Sequence, residues 1–299
     1  MDKIPPSISV VIPTIGKPEL IDAIESVLNQ TVAVHEIFVC VDAGDAPALP
    51  SDDRIHVIMV GPGAGGNAAR QAGISAATGE LIALLDDDDL WDRDRLEMQL
   101  DLVGQDHTRE WIATCRVRAT APDSTEIWPR RPISADERLT PYILRKESPV
   151  GGIGFIQAST LLFPRELALS VPFDTSLKHH QDIDWLIRVD RETPGLKVFQ
   201  TDAALTQYTI GGVSVSSAIR AQSSIDWAVK SVKDDPRSLG DFILVSGSLY
   251  AARAGSPLTV LKAYWQGITK GRPGWASQIF ALANFFRAFR WILRHPTQG

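Results

Sequence analysis

Four consecutive carboxylates, Asp86-Asp87-Asp88-Asp89, are the densest concentration of potential chemistry in this 299-residue chain. They directly follow the apolar run Glu80-Leu81-Ile82-Ala83-Leu84-Leu85, which reads as a short buried strand. The acids therefore stand at a strand's carboxyl end, the edge of an open α/β sheet where ligands bind. Carboxylates crowded this closely repel one another unless a cation or hydrogen-bond donors compensate. Oxygen ligands of this kind suit Mg²⁺ or Mn²⁺, which commonly join one or two protein carboxylates to substrate phosphates. The competing reading is a solvated acidic turn, with Asp89 or Asp92 capping the helix that begins near Asp92.

Other segments offer different chemistry. Gly61-x-Gly63-x-x-Gly66 follows a strand, opens a helix and has Asp86 twenty residues beyond Gly66, the arrangement of a dinucleotide fingerprint. Against a dinucleotide-dependent oxidoreductase, the unit is third in the sheet rather than first, and a ribose needs one acceptor rather than four acids. A nucleotidyltransferase would want a glycine-rich, lysine-bearing loop after the first strand, and Thr14-Ile15-Gly16-Lys17-Pro18 supplies it poorly. Asp182 opens a helix that runs to about Arg191, where an aspartate commonly serves as N-cap. Asp184 lies about 200° round that helix from Asp182 and is placed to pair with Arg188 at i,i+4. His179 and His180 are adjacent in a loop and lack a second nitrogen ligand at a metal-binding spacing. Arg130 and Arg131 read as solvated surface, or as part of a loop able to close over a diphosphate.

The elements that must position these groups alternate between strand and helix. Ile8 to Ile12 is a β-branched run ended by Pro13, and Leu20, Ile21, Ile24, Val27 and Leu28 repeat at helical spacing. Strands at Glu36 to Val41 and Ile55 to Val60 follow, then a helix from about Asn67 to Ala77 and the strand bearing the acids. Such alternation predicts a mostly parallel sheet flanked by helices. Beyond the helix from Asp92 to about Val103, strands are expected at Trp111 to Ala119, Ile153 to Phe163 and Lys197 to Thr201. Residues 121–149 are rich in Pro, Arg and Ser with weak periodicity. From Val213 to Arg294 the pattern is helical, with breaks near Pro236, Pro257 and Arg272-Pro273-Gly274.

Composition points to a globular chain: 44% of residues are hydrophobic and 22% charged. The net charge of -6 is unevenly spread, because residues 251–299 contain seven Lys and Arg and no Asp or Glu. The first 250 residues hold all 36 acids and 23 of the 30 bases, a balance of -13. Such asymmetry suggests a basic tail meeting an anionic surface. Cys40 and Cys115 read as buried small hydrophobes in a reducing compartment. No signal-peptide core opens the sequence, and no apolar run reaches the ~18–20 residues of a membrane span, so a cytoplasmic, non-integral protein is expected.

Taken in order, the motifs resemble glycosyltransferase family 2, inverting nucleotide-sugar transferases of the GT-A fold. Val10-Val11-Ile12-Pro13-Thr14 and Ile24-Glu25-Ser26-Val27-Leu28-Asn29-Gln30-Thr31 are similar to that family's first strand and helix. Val39-Cys40-Val41-Asp42 lies where its second strand ends in a uracil-contacting aspartate. Asn67-Ala68-Ala69-Arg70-Gln71-Ala72-Gly73-Ile74 resembles the helix after its third strand, and Thr78 to Trp91 its metal-binding DxD segment. Phe173-Asp174 and Gln181-Asp182 resemble its acceptor-side motif, and Gly211-Gly212-Val213-Ser214 the end of its catalytic domain. The resemblance spans about residues 7–215. It departs at Ala43, where a second aspartate is frequent, at Gln71, commonly asparagine, and at Gln181, normally glutamate.

The resemblance implies a GT-A-like α/β domain over residues 1–215 and a helical extension over 216–299. It implies that Asp88, with Asp86 or Asp87, holds Mn²⁺ or Mg²⁺ against the donor's diphosphate. Pro13, Thr14, Asp42, Asn67 and Arg70 would line the nucleotide pocket, and Asp86 or Asp87 would accept from the ribose. Asp182 would be the catalytic base, one displacement inverting the anomeric centre. The expected partners are a nucleotide-diphosphate sugar, UDP-linked by preference, and a glycan or lipid-linked acceptor of bacterial polysaccharide assembly; nucleic acid is not expected. A non-catalytic nucleotide-sugar-binding protein of the same fold is the alternative.

The helix from Ile279 to Arg294 places Arg287, Arg290 and Arg294 within about one-fifth of its circumference and leaves a broad aromatic and apolar remainder. It suits a helix lying in a membrane interface, peripheral on the inner face. It also suits a helix packed on the catalytic domain or on a second subunit, the commoner use of such faces.

Overall fold

The computed structural model describes residues 6–104, 106, 108–149, 152, 154–210 and 221–294. The chain divides into two compact units, residues 1–136 with 155–212, and residues 137–154 with 213–299. The glycine-serine segment Gly211 to Ser214 lies outside the described residues.

The first unit is built on a nine-stranded sheet. Strand β1 (Ile8–Thr14) is buried along its whole length, as its β-branched run requires. It pairs in parallel with β2 (Glu36–Val41) on one side and β4 (Leu81–Leu84) on the other, and β2 carries β3 (Ile55–Met59) at the edge. Helices α1 (Leu20–Leu28) and α2 (Gly66–Ala76) make the crossovers. Because these strands are parallel, their carboxyl ends meet on one edge, and β1, β2 and β4 deliver Thr14, Asp42 and Asp86 there.

Beyond β4 the direction alternates. The short strands β5 (Leu90–Trp91) and β8 (Leu162–Pro164), the long strand β6 (Trp111–Ala121), its hairpin partner β7 (Ser124–Trp128) and β9 (Lys197–Thr209) complete the sheet. Here β4–β8, β6–β8, β5–β9 and β6–β7 are antiparallel, and only β6–β9 is parallel. The parallel expectation thus holds for the first four strands, whereas the full sheet is mixed. A two-residue hairpin loop can join only antiparallel neighbours, and β7 was hidden by its exposed polar residues. Helix α3 (Arg95–Val103) packs beside β6 and β9.

The strand expected over Ile153 to Phe163 is largely absent. Among the described residues, Ala158–Thr160 forms a 3₁₀ turn, and the strand is confined to Leu162–Pro164. The polar residues redirect the backbone: Gln157 Oε1 accepts from Ser159 N–H at 2.8 Å, and Thr160 Oγ1 donates to Gln157 O at 2.7 Å. Helix α5 (Arg165–Ser170) follows, then α6 (Gln181–Glu192). Trp185 anchors α6 by stacking on Phe173 at 4.8 Å and donating its indole N–H to Val171 O at 2.7 Å.

Helix α2 lies close against β1 and β2 because Gly73 has no side chain. A Cβ there would sit 2.5 Å from Val11 Cγ1 and 2.9 Å from Cys40 Sγ. Gly73→Ala should therefore cost about 1–3 kcal/mol, despite the better helix propensity of alanine. Urea denaturation checks this, and an unchanged midpoint would refute the close packing. Cys40 and Cys115 are buried free thiols, and burial raises the pKa of Cys40 to about 12.

The second unit contains α4 (Leu139–Leu144), α7 (Ala221–Ser231), α8 (Pro236–Phe242), a π-helical turn at Ile243–Gly247, α9 (Ser248–Arg253), α10 (Pro257–Lys270) and α11 (Trp275–Arg294). The breaks fall near Pro236, Pro257 and residues 271–274, as the sequence indicates. Buried Asp241 fixes the last break, accepting from Gly274 N–H at 2.7 Å, the Ser277 hydroxyl at 2.6 Å and Arg237 Nε at 2.9 Å. Among the described residues, no helix is long and apolar enough to cross a membrane.

Candidate active site

The acid cluster occupies the turn between β4 and β5, and its four carboxylates meet four different environments. Asp86 accepts from Arg70 Nη2 at 2.6 Å, and its backbone N–H donates to Ser159 Oγ at 2.9 Å. Asp87 is buried and accepts from the Thr14 hydroxyl at 2.7 Å. Asp88 is the exposed member, with its side chain 46% accessible. Asp89 is buried, accepting from Gln157 Nε2 at 2.8 Å and from the Ser159 hydroxyl. Burial and the charge of Asp86 push Asp89 up to about 7 in spite of these donors. Neither Asp89 nor Asp92 caps α3, since the N-cap is Asp94 and Asp92 instead pairs with Arg118.

Lys17, in the loop after β1, supplies compensating charge. Its ammonium lies 3.0 Å from Asp87 Oδ1 and 2.6 Å from Asp88 Oδ2. Burial lowers its pKa, but hydrogen bonds and charge from Asp88 and Asp87 outweigh burial and raise it. Gly16 takes a positive φ of 86° in this loop, and its N–H donates to Thr14 Oγ1 at 2.8 Å.

Asp42 ends β2 and meets the glycine loop. Its Oδ1 accepts from Ala64 N–H at 2.8 Å and its Oδ2 from Gly65 N–H at 2.7 Å. Gly61 is required for this approach, because a Cβ there would fall 1.7 Å from Asp42 Oδ1. The fingerprint glycines thus wrap a carboxylate, and two of the amides that a dinucleotide's diphosphate would need are already used. Asp86, the acid of that fingerprint, is paired with Arg70.

Helix α2 then connects the acids to α6. Buried Arg70 spans Asp86 and Gln181, donating to Gln181 Oε1 from Nη1 at 2.9 Å. Asn67 donates to Asp174 O at 2.8 Å, while its buried Oδ1 has no hydrogen-bond partner among the described residues. Gln181 and Asp182 form the first turn of α6, after His180 in the left-handed region at φ 57°. The N-cap is therefore His180, and Asp182 lies inside the helix with Oδ1 accepting from Ile183 N–H at 2.9 Å. Burial raises the pKa of Asp182, Arg70 opposes this and Asp86 reinforces it. Asp184 points elsewhere and binds Arg188 Nε at 2.8 Å, the expected i,i+4 pair.

Thr14, Lys17, Asp86, Asp87, Asp88, Arg70 and Asp182 are thus coupled by hydrogen bonds, ion pairs and charge, whereas Asp42 bonds the glycine loop and Asn67 the backbone of Asp174. Pro13 is buried within β1, opposite Cys40. Arg130 and Arg131 lie exposed beyond β7. Burial, with the charge of His179, lowers the pKa of His180 to about 4.

Several participants were not singled out in sequence. In the sequence Lys17 reads only as part of a poor phosphate loop, and Asp89 only as a metal candidate or cap. Tyr208 was missed altogether. Burial, followed by the charges of Asp89, Asp182, Asp88 and Asp86, pushes its phenol up to about 12. Its ring lies 6.0 Å from Phe155 and 6.4 Å from Trp128, forming a half-buried aromatic wall beside the acids. No local signal marks this wall, because its rings come from three separate segments.

Comparison with known proteins agrees with this architecture. The chain is 32% identical over 200 residues to the amylovoran biosynthesis glycosyltransferase AmsB of Erwinia amylovora, covering 62% of this chain and 64% of that one. It thus spans just under two thirds of that relative's length. It is 35% identical over 102 residues to the UDP-Glc:alpha-D-GlcNAc-diphosphoundecaprenol beta-1,3-glucosyltransferase WfgD of Escherichia coli, over 32% of this chain and 40% of that one. The fold is similar to that of S. aureus TarS 1-349 in complex with UDP-GlcNAc, with a TM-score of 0.55 and 15% identity over 94% of this chain and 81% of that one. The model of glycosyl transferase family 2 matches residues 9–169, more than half of the sequence and the whole of the acid-bearing sheet edge, and the chain belongs to that family.

Proposed function

We propose that the protein transfers a sugar from a nucleotide-diphosphate donor, UDP-linked by preference, to an acceptor hydroxyl, with inversion at the anomeric carbon. The observation that carries this reading is the Arg70 bridge, which ties the acid turn at Asp86 to Gln181 beside Asp182. On this reading Arg70 links the acids that face the donor to the turn that carries the acceptor-side base, and its charge and that of Asp86 both act on Asp182. The names of the relatives support a donor of this kind and a role in bacterial polysaccharide assembly. That of WfgD supports a lipid-linked acceptor.

The residues fit a divalent cation. Among the described residues, no group of three or more His, Cys, Asp or Glu side chains could hold a metal alone. Two carboxylates completed by substrate phosphates are nevertheless an ordinary Mg²⁺ or Mn²⁺ set. Asp88 and Asp86 would hold the cation, and each makes its ion pair, to Lys17 and to Arg70, through one carboxylate oxygen. The ammonium of Lys17 already marks a place where positive charge is stabilised. A bound cation would neutralise charge on the leaving diphosphate.

The chain's own groups perform the remaining work. Asp42, Thr14 and Asn67 frame the nucleotide, and the ribose hydroxyls bond to Asp87. The carboxylate of Asp182 takes the acceptor's hydroxyl proton as that oxygen bonds to the anomeric carbon. The bond from that carbon to the diphosphate oxygen breaks, and the nucleoside diphosphate leaves with the electron pair. The wall of Trp128, Phe155 and Tyr208 offers apolar faces to a sugar ring.

The test is turnover of a panel of nucleotide sugars with Mn²⁺ or Mg²⁺, using acceptor glycans and undecaprenyl-diphosphate sugars. Metal-dependent release of a nucleoside diphosphate with a β-linked product from an α-linked donor is expected. Retention of configuration, or turnover undiminished by a chelator, would sink the corresponding part of the reading.

A further inference from the structure

Helices α10 and α11 of the second unit carry two kinds of apolar surface. On α11 the small residues Ala276, Ser277, Ala281, Asn284 and Ala288 are buried. The large residues Trp275, Ile279, Leu282, Phe286, Phe289 and Leu293 are between 48% and 67% exposed. At 100° per residue these six lie within about 80° of one another, nearly opposite the buried face. On α10, Leu258, Leu261, Trp265 and Ile268 are between 41% and 79% exposed and fall in a second arc of about 80°. A helix packed on protein by its aromatic side, one of the two arrangements the sequence allows, would show the reverse.

The two stripes open on the same side. Trp291 of α11 packs on Gly255, just before α10 begins, and residues 271–274 join the opposite ends, so the helices run antiparallel. They touch through Tyr264 Oη donating to Gln278 Oε1 at 3.0 Å. On each helix that contact lies between the buried face and the exposed stripe. Turning from the buried face through the contact leads to the stripe with the same rotational sense on both helices. Antiparallel neighbours with that property present their stripes together.

Charge identifies what covers this surface. Exposed Arg287 and Arg290 follow the α11 stripe along one flank, and exposed Lys262 lies beside the α10 stripe. Residues 251–299 contain no acid to offset them. A second copy docked face to face would offer these cations another cation-flanked surface, with no acid from its own residues 251–299. We propose that the paired stripes lie in the interface of an anionic lipid bilayer, with the large side chains at the acyl boundary and the cations among the head groups. This inference stands apart from the transfer reaction and does not depend on the donor or the metal.

The test is flotation of the full-length protein with vesicles of phosphatidylcholine alone or with 30% phosphatidylglycerol. Binding to the anionic vesicles is expected, weakened by salt. It should fall about tenfold in Arg287→Gln/Arg290→Gln and further in Phe286→Ser/Phe289→Ser. Arg287 and Arg290 are exposed, and the hydrogen bond from Arg287 Nη1 to Asn284 Oδ1 at 2.9 Å is one that a glutamine amide can replace, which keeps the test decisive should the phenylalanine variant fold poorly. Trp265 and Trp275 should also be quenched by brominated lipid. Failure to bind anionic vesicles, or equal binding by the arginine variant, would overturn the proposal. So would a dimer in sedimentation analysis that Phe286→Ser/Phe289→Ser dissociates, since a second copy would then cover the stripes.

Discussion

Asp182→Asn should lower kcat by about 10²–10⁴-fold while leaving nucleotide affinity nearly unchanged. The amide cannot accept the acceptor's proton, yet its oxygen can still receive the Ile183 N–H now bonded at 2.9 Å. Stability gives a second readout. A carboxyl whose pKa is raised in the folded state loses stability as pH climbs through that value, so removing its charge should leave the fold as stable or slightly more so at neutral pH. A residue needed only to start the helix would behave oppositely, with lower stability and a smaller loss of rate. In the wild-type enzyme the rate should fall as pH drops through the raised pKa, because only the carboxylate is a base. Retained turnover in Asp182→Asn would assign the base elsewhere.

Asp88→Ala should cost about 10²–10³-fold in turnover, corresponding to several kcal/mol of charge stabilisation at the leaving group. It should also abolish measurable Mn²⁺ binding in the presence of UDP, which can be followed by electron paramagnetic resonance. Lys17→Met is the informative contrast. Its ammonium neutralises Asp87 and Asp88, so the nucleotide-free variant should bind Mn²⁺ about tenfold more tightly than wild type. Unchanged affinity in Lys17→Met would mean that lysine and metal occupy different places. Absent Mn²⁺ binding in every form, with turnover intact, would instead show that cations from the protein neutralise the leaving group.

Local pattern carried much of the architecture. The β-branched run of β1, the helical spacing of α1 and the apolar strand before Asp86 are short-range signals, and each produced its element close to the expected bounds. The acid turn was legible because a parallel strand's end is specified by its own sequence and its edge by the alternation around it. The hairpin at Ser124–Trp128 was not legible, since four of its five residues are exposed and show no inward face. The turn at Ala158–Thr160 was not legible either, because side-chain hydrogen bonds overrode an apolar pattern.

Within the site, residue types were visible but their partners were not. Four adjacent aspartates look alike in sequence. Only the tertiary fold decides that Asp87 meets Thr14, 73 positions earlier, and that Asp89 meets Ser159, 70 positions later. The same holds for the glycine loop, whose spacing advertises a phosphate cradle until β2 places Asp42 inside it. The last helix makes the division plainest. Its sequence specified a helix with arginines in one sector and a broad aromatic and apolar remainder. Which face turns inward depended on its neighbours, and the small residues did because they let helix backbones approach closely, leaving the large ones for another surface.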